Sequence, residues 1–204
     1  MTADTLVRKG RKYDQVLDGA RDIFLRDGFE GASVDEIARA AGVSKATLYS
    51  YFPDKSLLFL EVARAQCQHQ SDVAHAEIDP ADPPRIVLGQ IARTLLSFML
   101  SPMGQRIFRM CVAESDRFPQ LGREFYRSGP LVLKVALVGY LTAAHERGEV
   151  ACEDLDFAAE QFAALCKADL WHRLLFGIQS EFSQPEIDRI ADGAVETFMA
   201  RYGP

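Results

Sequence analysis

Apolar residues recur along most of this chain at spacings of three and four, the period of an amphipathic α-helix. We find no run of alternating apolar and polar residues that would predict a β-sheet. Beside two short helices between residues 33 and 55, the pattern predicts longer helices at about 13–27, 54–78, 85–100, 103–115, 119–146 with a kink at Gly129-Pro130, 156–176 and 184–201. The predicted fold class is therefore all-α.

The stretch SVDEIARAAGVSKATLYSYFPDK, residues 33–55, predicts two short helices around a glycine turn. Ser33 and Glu36 have the S-x-x-E spacing of a capping box, which predicts the start of one helix. Gly42 supplies the left-handed backbone that ends a helix, and Ser44 can cap the next one. Such a pair of helices is typical of a helix-turn-helix, whose second helix enters the major groove of DNA.

The second short helix would point small, hydroxylated, aromatic and cationic side chains outward. Ala46 and Thr47 are positioned to meet base edges, while Tyr49, Tyr51 and Lys55 are candidate phosphate contacts. The full set of predicted DNA-binding residues is Ser33, Ser44, Lys45, Ala46, Thr47, Tyr49, Ser50, Tyr51 and Lys55.

Residues 13–62 closely resemble the DNA-binding domain of TetR-family transcriptional regulators, most distinctively in IARAAGVSKATLYSYFPDK from Ile37 to Lys55. Ala46 replaces a glycine that is common in the family, so the operator sequence is left open. The resemblance implies an N-terminal three-helix domain at residues 1–55 and a larger helical ligand-binding and dimerisation domain at 56–204. It also implies a two-fold homodimer on a palindromic operator in double-stranded DNA.

Residues 98–130 resemble the AefR-like branch of the same family. Relatives bind a small-molecule effector between their central helices, and such pockets are mostly apolar. Candidate lining residues are Phe98, Phe108, Cys111, Phe125, Leu133 and Trp171, with His172 and Arg109 as candidate polar contacts. The alternative is that the apolar side chains belong to an ordinary core, and that Arg109 and His172 lie on the surface.

The segment 156–176 is apolar on more than one side of its predicted helix, which suggests burial on two faces. A partner subunit could cover one of them, together with an apolar stripe on the last helix formed by Ile187, Ile190, Ala191, Ala194, Val195 and Phe198. The alternative is that a single subunit buries both surfaces by itself.

The net charge of −6 is unevenly distributed, because residues 1–60 are electrically balanced and the remainder carries the whole excess. The basic arm Arg8-Lys9-Gly10-Arg11-Lys12 either follows the minor groove or is a solvated terminus. The four cysteines have no C-x-x-C spacing, and Cys67, His69 and His75 would face different sides of one helix, so no metal or cofactor is expected. No membrane span and no signal peptide are expected, which favours a cytoplasmic, nucleoid-associated protein.

Three classes of function remain: a repressor released from its operator by a small, largely apolar ligand, a DNA-bound architectural or partner-recruiting protein that senses no ligand, and an all-α enzyme. Nucleotide-binding and hydrolase signatures such as G-x-G-x-x-G and G-x-S-x-G are absent from the sequence. The sequence therefore favours the regulator, with the architectural protein as the alternative.

Overall fold

The computed structural model describes residues 10–204, except for the side chains of residues 70, 71 and 73–77. Within that range the chain is helical and contains no strand. The helices are α1 Arg11–Gly31, α2 Val34–Ala40, α3 Lys45–Tyr51, α4 Lys55–Glu77, α5 Pro84–Leu100, α6 Pro102–Glu114, α7 Pro119–Ser128, α8 Pro130–Glu146, α9 Leu155–Leu165, α10 Leu170–Leu175 and α11 Gln184–Tyr202. The all-α prediction is confirmed.

The chain forms two compact units, whose boundaries lie inside three helices. The first unit contains residues up to 66 together with 106–125, and the second contains 67–105 and 126–204. The predicted arm residues Arg8 and Lys9 lie outside the described residues, whereas Arg11 and Lys12 begin α1. The division of the chain at residue 55 stays a prediction.

The first unit is built on α1, whose buried stripe includes Val16, Ala20, Ile23 and Phe24. Gly19 lies where α1 crosses the end of α2, and a Cβ atom there would meet the backbone nitrogen of Ala41 at 2.7 Å. Gly28, one residue after the predicted end of this helix, interrupts α1 with a φ of 73°, and a further helical turn follows it. The close crossing of α1 and α2 therefore requires glycine.

The second unit is centred on α5 and α11, which pack along each other. The apolar stripe of α11 lies inside this subunit, with Ile190, Ala191, Ala194, Val195 and Phe198 all buried. Phe198 also meets Phe162 of α9 with 5.4 Å between ring centroids. The expectation that these five residues face a partner subunit is therefore wrong, because helices of the same chain, including α5 and α9, cover them; Ile187, the sixth residue of the predicted stripe, is half-buried.

Two predicted long helices are each divided in the structure. The helix predicted at 119–146 becomes α7 and α8, with Gly129 between them at the expected kink. The helix predicted at 156–176 becomes α9 and α10, with Asp169 between them at a φ of 56° and the amide of Leu170 donating to the Ala168 carbonyl at 2.7 Å. No glycine or proline marks this second break, so the apolar pattern could not reveal it.

Across the described residues no single helix is long and apolar enough to cross a membrane. Taken together, α5 and α6 are long and apolar enough, but there is a bend of 70° between the two helices.

Candidate nucleic-acid interface

Hydroxyl side chains cap both helices of the predicted helix-turn-helix. The amide of Glu36 donates to Ser33 Oγ at 3.1 Å at the start of α2, and the amide of Thr47 donates to Ser44 Oγ at 3.1 Å at the start of α3. Because the first amides of a helix have no partner within it, each cap stabilises its helix by about 1 kcal/mol. Both predicted helix starts are confirmed.

The turn between α2 and α3 depends on Gly42. Its φ of 64° allows the Gly42 amide to donate to the Arg39 carbonyl and the Val43 amide to donate to that of Ala38. A residue with a Cβ atom would be strained in this conformation. The glycine turn predicted from the sequence is present.

Helix α3 has an apolar inner side and a polar outer side. Leu48 is buried within the helix and Phe52 is buried just after it, so the two side chains anchor α3 to the first unit. On the outer side Lys45, Ala46, Tyr49 and Ser50 are exposed, while Thr47 and Tyr51 are half-buried. One face of a short, anchored helix is therefore open to a macromolecule.

The polar groups on this face are partly held by neighbours. Thr47 Oγ1 lies 2.8 Å from Ser44 Oγ, and the Ser50 hydroxyl donates to the Thr47 carbonyl at 2.6 Å. Lys45 Nζ lies 2.9 Å from Asp35 Oδ1 of α2, and this hydrogen-bonded ion pair raises the pKa of the lysine. The carboxylate of Asp35, which the sequence pattern did not indicate, thus forms an exposed ion pair with the one cation within α3.

Tyr51 belongs to an aromatic contact at the base of α3. Its ring meets that of Tyr13 edge to face, with 5.9 Å between centroids. The Tyr13 hydroxyl donates to Glu61 Oε2 of α4 at 2.6 Å, and burial, followed by this carboxylate, raises the pKa of the tyrosine. Helices α1, α3 and α4 are therefore tied together at one point through Tyr13.

The side chain of Lys55 is engaged by partners within the first unit. Its ammonium donates to the carbonyls of Phe29 at 2.7 Å and Ala32 at 3.1 Å, and it lies 4.5 Å from the centroid of the Phe29 ring. These partners are more than twenty positions away in the sequence, so no local pattern indicated them. Whether Lys55 touches DNA stays a prediction.

The predicted effector residues are divided between the two units. Phe108, Cys111 and Phe125 belong to the first unit, where the rings of Phe108 and Phe125 lie 6.2 Å apart. Phe98, Leu133, Trp171 and His172 belong to the second unit. Trp171 and Cys111 are buried, Phe98, Phe108, Phe125 and Leu133 are half-buried, and His172 is exposed.

Among the described side chains of the second unit, one buried polar atom has no hydrogen-bond partner. The side-chain oxygen of Gln90, on α5, is buried and accepts no hydrogen bond within the described part of the chain. Thr94 lies one helical turn further along and Phe98 lies two turns along, so all three share one side of α5. Buried acceptors without a donor are uncommon, which makes this side of α5 a candidate contact for a hydrogen-bonding ligand.

Helices α2 and α3 are short, each begins at a serine cap, and a glycine turn joins them. Helix α3 has a polar outer face and apolar anchors beneath it. This arrangement defines a helix-turn-helix protein. The family model for bacterial regulatory proteins of the tetR family matches residues 16–62, and that for the C-terminal domain of AefR-like transcriptional repressors matches residues 86–204. The chain belongs to the TetR family of transcriptional regulators, which are not enzymes.

Solved structures of similar proteins extend the likeness along the chain. A putative TetR-family regulator from Mesorhizobium loti is 30% identical, with a TM-score of 0.84 over 97% of this chain and 100% of that one. The flavonoid-responsive regulator FrrA is 32% identical, with a TM-score of 0.73 over 96% of this chain and 99% of its own.

Two curated relatives match over a short part of this chain. The regulator RutR of Escherichia coli is 43% identical over 53 residues, which are 26% of this chain and 25% of RutR. The repressor AcnR of Corynebacterium glutamicum is 37% identical over 59 residues, 29% of this chain and 31% of AcnR. The match spans about a third or less of these relatives.

Proposed function

We propose that this protein is a dimeric repressor that binds a palindromic operator through α3 and is released by a small, largely apolar ligand. The observation that carries the DNA-binding part is the exposed face of α3, held by Leu48 and Phe52 and aligned by the Ser44 cap. In this proposal Ala46 and Thr47 meet base edges, while Lys45, Tyr49, Ser50 and Tyr51 contact phosphates. Ser33 and Ser44 act by starting the two helices.

The proposed dimer uses the last helices, α9 to α11. Its support is the set of large apolar side chains that the subunit leaves exposed there, which are Phe157, Phe176 and Ile178. Phe176 and Ile178 are two positions apart just after α10, and contiguous exposed apolar surface marks interaction sites. A two-fold dimer would present two copies of α3 to successive major grooves, about 34 Å apart along the duplex. The protein would act in the cytoplasm, at the nucleoid.

The proposed effector binds in the domain that follows the helix-turn-helix and shifts α4, which leads from one unit into the other along the chain. Of the predicted lining residues, those that belong to the second unit are proposed to contact it: Phe98, Leu133, Trp171 and His172. Two observations support an apolar ligand with a hydrogen-bond donor: the apolar interior of the second unit and the unpartnered oxygen of Gln90. FrrA is described as flavonoid-responsive, so phenolic compounds are the first to test. A coupling of about 1–3 kcal/mol would suffice for release.

Three variants at Thr47 test the proposed base contact. Thr47→Val keeps a methyl group for a thymine, Thr47→Ser keeps the hydroxyl, and Thr47→Ala removes both. We expect Thr47→Ala to lose about 1–3 kcal/mol on the operator and little on random duplex, since base contacts specify and phosphate contacts do not. Fluorescence anisotropy on an operator selected from a random library would measure both affinities. Equal losses on the two duplexes would show that Thr47 does not read sequence.

A titration of the operator complex with a flavonoid panel tests the effector. Release by one or more compounds, with unchanged binding by an unrelated helix-turn-helix protein, is the expected result. The alternative function, an architectural protein without an effector, predicts many evenly spaced genomic sites and no release. Chromatin immunoprecipitation would distinguish the two functions, because a regulator should occupy one or two sites beside a regulated gene.

A further inference from the structure

Lys55 is the first residue of α4, and its side chain is directed back onto the end of α1. The ammonium lies 2.7 Å from the Phe29 carbonyl, 3.1 Å from that of Ala32 and 3.5 Å from that of Glu30. The aromatic ring of Phe29 lies beneath it, with the centroid 4.5 Å from Nζ. All these partners belong to the first unit, so these contacts of Lys55 lie within one compact unit.

These contacts match what the end of a helix needs. The last carbonyls of a helix have no amide partners within it and carry partial negative charge, which a cation stabilises. Gly28 breaks the regular backbone of α1 just before them, and Ala32 is the residue that ends the helix. An ammonium has three N–H donors, and three carbonyls surround that of Lys55.

Lys45 provides the contrast within the same unit. Its side chain is 51% exposed and its described ion pair is with one exposed carboxylate, that of Asp35. A phosphate can replace such a partner at little cost, because exposed ion pairs contribute about 0–1 kcal/mol. A phosphate that engaged Lys55 would instead have to leave backbone carbonyls of residues 29–32 without their donor.

We propose that Lys55 is a positioning residue that joins the end of α1 to the start of α4, and that it does not neutralise a DNA phosphate. The segment it holds, residues 29–32, leads directly into Ser33, the cap of α2. Lys55 thereby sets where the helix-turn-helix begins, and its role replaces the phosphate contact expected from the sequence. The inference rests on the proposed DNA-binding function.

The salt dependence of binding distinguishes the two roles, because each neutralised phosphate contributes about 0.9 to the slope of log affinity against log salt concentration. Lys45→Met and Lys55→Met are a matched pair that keep the length of the side chain and remove the charge. We expect Lys45→Met to reduce the slope by about 0.9, and Lys55→Met to leave it unchanged while lowering the melting temperature. A reduction of about 0.9 for Lys55→Met without a change in melting would overturn the proposal.

Chemical labelling of the wild-type protein gives the same answer without a variant that must fold. Lysines are acetylated briefly with and without operator DNA, and the modified sites are quantified by mass spectrometry. We expect Lys55 to react slowly in both states, and Lys45 to react readily when free and slowly when bound. Fast labelling of Lys55 that DNA suppresses would overturn the positioning role. If the wild type bound no duplex at all, the proposed function would fail, while slow labelling of Lys55 in the free protein would still support its place against α1.

Discussion

The helix-turn-helix and the second unit of this protein are stabilised in different ways. Helices α2 and α3 have seven residues each, and they depend on side-chain caps, a glycine turn and a few apolar anchors. Helices α5 and α11 have 17 and 19 residues, and they bury long apolar stripes against each other. Short helices are marginal without caps and tertiary support, whereas long amphipathic ones derive their stability from packing. Specific polar residues should therefore matter most in the first unit and shape in the second.

Removing a large buried ring from the second unit, which depends on packing, should have the greatest effect on the free energy of unfolding. Phe162 is fully buried against Phe198, so Phe162→Ala should cost about 3–5 kcal/mol in the free energy of unfolding. Chemical denaturation followed by circular dichroism would measure it. Glu160→Ala, two residues earlier on the same helix, removes only exposed ion pairing with Lys134 and should cost at most about 1 kcal/mol. Similar losses for both variants would contradict the packing argument.

Removing the cap of α3 should have a smaller effect on stability and a visible one on DNA binding. Ser44→Ala leaves the Thr47 amide without its acceptor, which should cost about 0.5–2 kcal/mol. Ser44→Gly should cost only a few tenths of a kcal/mol, because glycine is tolerated at this position and leaves the amide open to water. Thermal melting and operator affinity should rank the proteins as wild type, glycine variant, alanine variant. An alanine variant as stable as the wild type would show that α3 does not need its cap.

Removing the unpartnered side-chain oxygen of Gln90 should give the smallest change in the free energy of unfolding, and the change should be stabilising. Gln90→Leu removes a buried acceptor that has no donor, so the variant should be more stable by up to about 1 kcal/mol. Its response to any effector that bonds to Gln90 should be lost, while its operator affinity without effector stays as in the wild type. Denaturation and the release assay measure the two effects. A destabilised variant would mean that the oxygen has a partner in solution, such as ordered water.

The parts of the site that were predictable are those fixed by neighbours in sequence. Ser33, Gly42, Ser44, Leu48 and Phe52 could be assigned because caps, turns and helical anchors act over three or four residues. Their predicted roles in starting, ending and anchoring α2 and α3 agree with the structure.

The parts that were not predictable depend on contacts between distant residues. The carbonyls that hold Lys55, the Glu61 partner of Tyr13 and the covering of the α11 stripe by α5 all join segments more than twenty residues apart. An apolar stripe predicts that a helix is buried and does not indicate what buries it. The break at Asp169 could not be predicted for another reason: no glycine or proline marks the turn. The carboxylate of Asp169 accepts hydrogen bonds from Arg173 and Arg189.

In the proposed complex, two copies of α3 lie in successive major grooves of one operator. Methylation protection at guanine N7, which lies in the major groove, tests it directly on the selected operator bound by the wild-type protein. We expect protection in two symmetric half-sites that lie about 10 base pairs, or a multiple of that, apart. Thr47→Ala should weaken the protection at the same guanines. Protection of a single site, or none at saturating protein, would contradict it.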